Sequence, residues 1–283
     1  MKITTKPVLL ASILVSAFGI LSTAHAADEA TPAAAPAVAA AEPASPHTFS
    51  SNVGFFTDYT FRGISYTKER GAVQGGFDYA HSSGLYAGVW ASNVHKDALY
   101  GNTVELDVYG GYASSFGDTG IGYNVGFLQF FYPDADRAGA VRGEGGTGGS
   151  PNTTELNAAL TYKYFTLKHS VAVTNFFGIN NAYAGNGNSR GSGYTELNFN
   201  YKLPVAALNL ALHVGHQTVH NYSIANYTDW LVGVNKDFSI AGSTGWNAGV
   251  NYTTTDADDA WYYDASGWKT GDDRVIGYIK RTF

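Results

Sequence analysis

The side chains best suited to chemistry in this sequence are three histidines and two loop motifs, and none forms a complete site. His213 and His216 are spaced as H-x-x-H, but residues i and i+3 of a strand face opposite sides, so they cannot ligate one metal. His169 falls on the outward face of its strand, but no serine on that face lies beside it, as a lipase would need. The Gly-rich stretch 143–150 lacks the G-K-[ST] of a nucleotide loop. We therefore expect no enzyme, cofactor or metal.

The acidic stretch 256–259 keeps one alternative open. It lacks the spacing of a calcium-binding loop, so a solvated loop is its simplest interpretation. The alternative is a cluster that binds divalent ions shared with lipopolysaccharide.

Charged side chains recur on one face of segments whose apolar residues alternate with polar ones. In 104–108, Glu105 and Asp107 separate Val104, Leu106 and Val108. Successive side chains of a strand point to opposite faces, so one face is charged and the other apolar. The charged face supplies the candidate lumen-lining residues, namely Asp58, Arg62, Asp78, Glu105, Asp107, Glu155, Lys168, Glu196, Asp229 and Arg274, and additionally Lys163, Lys202 and Lys280.

This mixture of acids and bases has two interpretations. Buried charges must be paired or hydrated, so the interior is either a narrow polar channel or a plug of internal ion pairs. In one sector Asp78, Glu105 and Asp107 outnumber Arg62, which predicts a local preference for cations. The alternative is that Arg62 pairs with Asp78 and locks neighbouring strands together.

The elements that position these residues are predicted to be twelve β-strands. Only 14% of the chain is charged, against roughly 25% in ordinary soluble domains, while Tyr, Phe and Gly are abundant. Alternating segments lie near 49–63, 70–80, 84–93, 102–113, 119–131, 153–163, 165–177, 193–202, 207–217, 227–238, 245–254 and 273–283. The fold class is therefore predicted to be all-β, a transmembrane antiparallel barrel of about twelve strands.

Connection lengths and aromatic positions support this topology. Short and long connections alternate strictly, which is typical of a membrane barrel with both termini in the periplasm. Aromatic residues fall on the apolar face at strand ends, which predicts two girdles of aromatic side chains at the membrane interfaces. The main candidates are Tyr79, Tyr112, Tyr162, Tyr201, Trp230 and Trp246. Further candidates beside the long loops are Tyr59, Phe61, Phe131, Phe177 and Tyr252. The alternative is a secreted β-sandwich or lipocalin-like barrel whose apolar face forms a core.

The N-terminus has the features of an export signal. Lys2 and Lys6 precede an apolar stretch, and Ala24-His25-Ala26 is a small-residue cleavage site. We predict a signal peptide at 1–26, cleaved after about Ala26, a disordered Ala/Pro-rich periplasmic linker at 27–47, and a barrel at 48–283. An uncleaved membrane anchor is the alternative. The absence of cysteine and the net charge of −6 exclude a disulfide scaffold and argue against nucleic-acid binding.

Three early segments carry a family resemblance. The sequences FRGIS at 61–65, QGGFDY at 74–79 and AGVWASN at 87–93 resemble the N-terminal hallmark of the proteobacterial TorF family of porins. The resemblance covers about Phe49 to Phe283 and is strongest in the first three strands. It implies an outer-membrane barrel of porin type and supplies no catalytic residue.

From these observations we expect a channel in the bacterial outer membrane for passive passage of small solutes. Twelve strands predict a restricted pore, because about eight strands fill with side chains and 16–18 leave an aqueous channel. Expected partners are outer-membrane lipids and lipopolysaccharide, the solutes, and the barrel assembly machinery through C-terminal Phe283. The alternative is a closed structural or surface-binding barrel whose long loops contact an external ligand.

Overall fold

The computed structural model describes residues 45–98, 100–135, 150–181, 187–264 and 266–283. The predicted signal peptide, most of the predicted linker and most of the Gly-rich stretch 143–150 lie outside these ranges. Across the described residues, no helix combines the length and the apolar character needed to cross a membrane.

Twelve long strands make up the main sheet. They are β1 (His47–Phe56), β2 (Ala72–His81), β3 (Leu85–Asn93), β4 (Val104–Ser115), β5 (Ile121–Phe131), β6 (Thr153–Tyr162), β7 (Phe165–Ala172), β8 (Gly193–Lys202), β9 (Asn209–Thr218), β10 (Tyr227–Ile240), β11 (Ser243–Thr255) and β12 (Arg274–Thr282). Two short hairpins, Thr60–Phe61 with Ile64–Ser65 and Asn180–Asn181 with Gly187–Asn188, lie outside the main sheet.

Each long strand pairs antiparallel with its sequence neighbours, and β1 pairs with β12 to close the barrel. Asn52 lies opposite Thr282 at the closing seam. The predicted twelve-stranded antiparallel barrel is confirmed. Closure pairs the edges that an open sheet would leave exposed.

Alternation along the strands separates the two faces of the barrel. In β4, Glu105 and Asp107 are fully buried, whereas Val104 and Leu106 are 41% and 37% exposed. The apolar side chains therefore face outward and the charged side chains face inward, the reverse of a soluble barrel with an apolar core.

The connections differ between the two ends of the barrel. Ala241 and Gly242 form a two-residue turn after β10, with φ of 49° and 79° as a type I′ hairpin requires. At the opposite end the longer connections are 57–71, 94–103, 132–152, 173–192, 219–226 and 256–273. Because β1 begins and β12 ends beside the short turns, both ends of the barrel sheet lie at the short-turn end.

Two predicted strands are shorter than the alternation suggests. The first, predicted over 49–63, ends at Phe56, and the seventh, predicted over 165–177, ends at Ala172. The chain beyond each of these strands folds into the barrel, so Tyr59, Phe61 and Phe177 are buried inside, and their assignment to the outward girdle is wrong. Lys163, predicted to face inward, is exposed in the turn between β6 and β7.

Candidate functional site

The connection between β1 and β2 folds inward and fills part of the barrel interior. We call residues 57–71 the plug segment. Phe61 pairs with Ile64 in a short hairpin whose turn residues, Arg62 and Gly63, have φ of 51° and 79°. A Cβ atom at Gly63 would overlap the side chains of Thr255 and Asp229, so only glycine fits this close approach to the barrel wall. The turn places Arg62 in the interior, whereas the sequence predicted it on a strand.

Arg62 joins the plug segment to the wall. Its two terminal nitrogens donate to the carboxylate of Glu155 on β6 at 3.0 and 2.6 Å, and one of them also donates to Gln217 Oε1 on β9 at 2.8 Å. The guanidinium also lies 4.2 Å from the ring centroid of Tyr194. Both partners of the ion pair are buried, with side-chain exposures of 8% and 3%. Removing one partner would leave a buried charge without compensation.

Asp58 organises the base of the plug segment. One of its carboxylate oxygens accepts hydrogen bonds from the hydroxyls of Ser65 and Thr67, at 2.8 and 2.6 Å, and from the backbone N–H of Glu69. Its other oxygen lies 3.4 Å from Arg274 Nε on β12. A buried carboxylate thus fixes the curvature of the segment and connects it to the strand that closes the barrel.

The other end of the plug segment is tied to two long connections. Lys68 Nζ lies 2.7 Å from Asp264 and 3.6 Å from Asp97. Burial alone would raise the pKa of Asp264, but its bonds from Lys68, from Ser266 and from the backbone of Trp268 outweigh that effect and lower the pKa to about 2. These contacts hold the plug segment against the loops that surround the barrel mouth.

Aromatic side chains fill the interior at the long-loop end. Phe61 packs edge-to-face against Phe130 and Phe177, with ring centroids 5.4 and 5.7 Å apart. The buried cluster also includes Tyr59, Tyr66, Trp90, Tyr132, Phe176, Tyr222, Tyr227 and Tyr262. We call this set, with Phe61, Phe130 and Phe177, the aromatic cluster. It packs the plug segment against the wall and the inward part of 173–192.

Two buried acids of β4 lie beside this cluster in different environments. Glu105 accepts hydrogen bonds from the hydroxyls of Tyr59 and Tyr132, at 2.5 and 2.7 Å. Asp107 is fully buried, and neither of its carboxylate oxygens has a hydrogen-bond partner among the described residues. Within the described ranges, neither acid is paired with a base.

A second polar network lies on β7 to β10. The hydroxyl of Tyr194 and Nε2 of His213 both contact the carboxylate of Asp229, at 2.8 and 2.9 Å. Glu196 is 3.3 Å from Lys168 Nζ and accepts a hydrogen bond from Asn198. As its position on the strand predicts, His213 faces this network, whereas His216 is exposed on the outer surface.

Between these networks lies a cavity of about 210 Å³. Its lining includes Asp58 and Arg62 of the plug segment and reaches Ser50, Lys280 and Thr282 near the short-turn end. Asp78, Lys168, Glu196, His213 and Asp229 add charged and polar groups of both signs, and Trp90, Tyr109 and Tyr194 add aromatic surface. We call this space the interior cavity; it lies between the plug segment and the short-turn end.

The structure places the ten candidate lumen residues as follows. Glu105, Asp107, Glu155, Lys168 and Asp229 are buried on the inner wall, and Asp58, Arg62 and Arg274 are buried where the plug segment meets it. Asp78 and Glu196 line the cavity. The alternative that Arg62 pairs with Asp78 is wrong, because Arg62 binds Glu155 and Asp78 accepts a 2.5 Å hydrogen bond from Tyr109.

Several interior partners were not anticipated from the sequence. Gln217, Tyr194 and His213 complete the networks around Arg62 and Asp229, and Tyr59 and Tyr132 hold Glu105. The inward parity of Gln217 and His213 is visible in the sequence, because both share the face of Gly215 on β9. The partners of these side chains cannot be identified from the sequence, since the contacts join residues far apart in the chain.

The six candidate girdle residues lie near strand ends. Tyr162 and Trp230 are 48% and 41% exposed, while Tyr79, Tyr112, Tyr201 and Trp246 are partly buried. Several of these rings pack against other surface rings. The ring centroids of Tyr79 and Phe49 are 5.2 Å apart, and those of Trp246 and Phe238 are 6.4 Å apart.

Among the described residues, no group of three His, Asp or Glu side chains could hold a metal ion.

The structure is similar to the KdgM porin with a TM-score of 0.47 and 7% sequence identity, covering 83% of this chain and 99% of that one. It is similar to the outer membrane protein OprD from Pseudomonas aeruginosa with a TM-score of 0.36 and 14% identity, covering 83% and 64%. No curated protein matches the sequence. A family model described as a bacterial protein of unknown function, Gcw_chp, matches residues 40–283, and the chain therefore belongs to the Gcw_chp family.

Proposed function

We propose that this protein is an outer-membrane porin-like channel for small solutes, with the plug segment as its constriction. The observation that carries the proposal is an interior cavity with charged side chains in its lining, inside a barrel whose outer face is apolar. The cavity is lined by acids and bases, which suits hydrated solutes, and its volume of about 210 Å³ suits small ones.

The outer face supports the membrane location. Large apolar side chains lie exposed around the barrel, among them Phe55, Phe77, Leu156, Val232 and Val275, which are 49% to 69% exposed. A continuous apolar surface of this extent is typical of a membrane interface and not of a soluble monomer. The resemblance to the TorF porins points to the same location.

The two ends of the barrel support one orientation in the membrane. Short turns and the barrel termini belong on the periplasmic side of an outer-membrane barrel, and long loops belong outside. We expect export by the signal peptide and contact with outer-membrane lipids and lipopolysaccharide. Phe283, 60% exposed at the short-turn end, is the expected signal for the barrel assembly machinery.

A closed structural or surface-binding barrel is the second candidate. The aromatic cluster favours it, because its tightly packed side chains close the interior cavity at the long-loop end. In the channel proposal the same cluster is a closed constriction, and solute passage requires displacement of the plug segment.

A liposome swelling assay tests the proposal. Vesicles containing the folded protein are placed in iso-osmotic solutions of arabinose, glucose, sucrose and raffinose. We expect swelling that falls steeply as solute size increases. Swelling no faster than in protein-free vesicles, for the wild type and for a variant with a weakened plug segment, would favour the closed barrel.

A further inference from the structure

Four strands present a row of histidine and threonine side chains on the outer face near the long-loop end. Thr195 on β8 lies in register with His169 on β7 and with His216 on β9, and His216 lies in register with Thr228 on β10. His169, Thr195 and His216 are exposed. Because neighbouring strands are about 4.8 Å apart, the two histidines are about 10 Å apart along this row.

Hydrogen bonds orient both imidazole rings. His169 Nδ1 lies 2.9 Å from the hydroxyl of Thr195, and His216 Nδ1 lies 3.0 Å from the hydroxyl of Thr228. The His169 ring lies against Gly193, where a Cβ atom would be 3.1 Å from its Cε1. Within the described part of the chain Nε2 of neither ring is hydrogen-bonded, so each histidine keeps one ring nitrogen for a ligand.

The charge around this row is unusual for an acidic protein. The chain has a net charge of −6, yet Glu196 is the only acidic residue in the sequence from 165 to 228, and it faces inward beside Lys168. Exposed Arg190 and His220 lie in the connections next to the row, where His220 N–H donates to Ser192. The connection 256–273 carries several aspartates, and one of them, Asp256, accepts a hydrogen bond from the backbone N–H of Thr228, so among the described residues acidic charge adjoins the row only at β10. The outer rim of β7 to β9 therefore attracts anions.

We infer that the outer rim of β7 to β9 binds the phosphate of a membrane-lipid headgroup, through His169, Thr195 and His216, with Arg190 of the adjoining connection as a further cation. The inference rests on the membrane location proposed above. A lipid is the occupant because the row directly adjoins Leu167, Leu197 and Val214, which are exposed on the same face, so a headgroup bound here would leave its acyl chains along apolar surface. Imidazole and guanidinium groups suit the anionic oxygens of phosphate.

Titration with diphosphoryl lipid A and with its dephosphorylated form tests the inference. The protein is folded in dodecyl maltoside micelles, and the apparent Kd is taken from the rise in unfolding temperature with lipid concentration. We expect the wild type to bind the diphosphoryl form at least tenfold more tightly. His169→Ala/His216→Ala should reduce that preference to less than about threefold, and Arg190→Gln, which changes no strand residue, should reduce it in part.

Lys269→Gln is the matched control. Lys269 is an exposed cation at the same end of the barrel, paired with Asp259, and its removal should leave the preference unchanged. Equal binding of the two lipids by the wild type, or an undiminished preference in both the double histidine and the Arg190 variants, would overturn the inference. So would an equal loss in the Lys269 variant. Heat-modifiable gel mobility and liposome swelling report separately on the barrel and the channel, so failure of the lipid site and failure of the channel are distinguishable.

Discussion

Replacing Arg62 should release the plug segment. In Arg62→Met the carboxylate of Glu155, 3% exposed, loses both hydrogen bonds from the guanidinium, and Gln217 Oε1 loses its donor. Breaking a buried ion pair from one side costs about 3–5 kcal/mol, because the remaining charge stays buried without a partner. Opening of the plug segment exposes the Glu155 carboxylate to water and relieves this cost. The lost stabilisation therefore appears as more frequent opening of the plug segment.

The size of the effect can be read from hydrogen exchange. The amides of Ser65 and Tyr66 donate to the carbonyls of Thr270 and Tyr59, and their exchange reports opening of the plug segment. A loss of about 3–5 kcal/mol corresponds to exchange faster by about 10²- to 10⁴-fold. Arg70→Met makes the same chemical change at an exposed position of the same segment, and it should alter exchange by less than about threefold.

The double variant Arg62→Met/Glu155→Leu separates the ion pair from its surroundings. It removes the orphaned charge and leaves only Gln217 Oε1 without its donor, a loss of about 1–2 kcal/mol. Exchange should therefore return to within about 30-fold of the wild type. Exchange in Arg62→Met equal to the wild type, or exchange in the double variant as fast as in Arg62→Met, would refute the role assigned to this pair.

Three further predictions concern the faces, the loops and the orientation of the barrel. Leu212→Arg should make the free energy of folding into vesicles less favourable by roughly 2–4 kcal/mol, because it places a cation on the lipid face. Ala211→Arg places the same cation on the inner face and should not impair folding. Equal heat-modifiable mobility of the two variants would contradict the assignment of faces. The bond between Lys68 and Asp264 depends on an aspartate whose pKa is lowered from 3.8 to about 2. The stabilisation by this bond is therefore full above about pH 4 and is lost as the pH falls toward 2. The fluorescence of neighbouring Trp268 should report this loss as a change with pH, and Asp264→Asn should abolish that change. Cysteine at Asp258 should react with an impermeant maleimide on intact cells and cysteine at Ser82 should not; the opposite labelling would invert the orientation.

The twelve strands could be predicted because their signal is local. Alternation in segments such as 104–108 follows directly from the geometry of a strand, and the structure confirms it in the burial of Glu105 and Asp107. The tight turns could be placed for the same reason, since each lies between two alternating runs.

The plug segment could not be predicted from the same rule. Tyr59 and Phe61 continue the alternation of β1, so they resemble outward girdle residues until tertiary contacts are known. Their burial depends on the aromatic cluster, which joins them to Trp90, Phe130 and Phe177 on other parts of the chain. Alternation therefore identifies the faces of a strand but not the residue at which the strand ends.

The charge partners were equally beyond local reasoning. Arg62 and Glu155 are 93 residues apart in sequence, and their contact requires the plug segment to fold inward. The sequence suggested Asp78 on the neighbouring strand because adjacent strands are the natural source of partners. The inward hairpin removes Arg62 from that neighbourhood, and Tyr109 bonds to Asp78 instead.

Single-channel recording in planar bilayers tests the central claim most directly, namely that the lumen conducts and that the plug segment closes it. The wild type should show small and infrequent conductance steps, and Arg62→Met should show a higher open probability, while Arg70→Met matches the wild type. Absence of conductance steps in all three proteins, each shown to be folded by heat-modifiable mobility, would contradict the channel and leave a closed barrel.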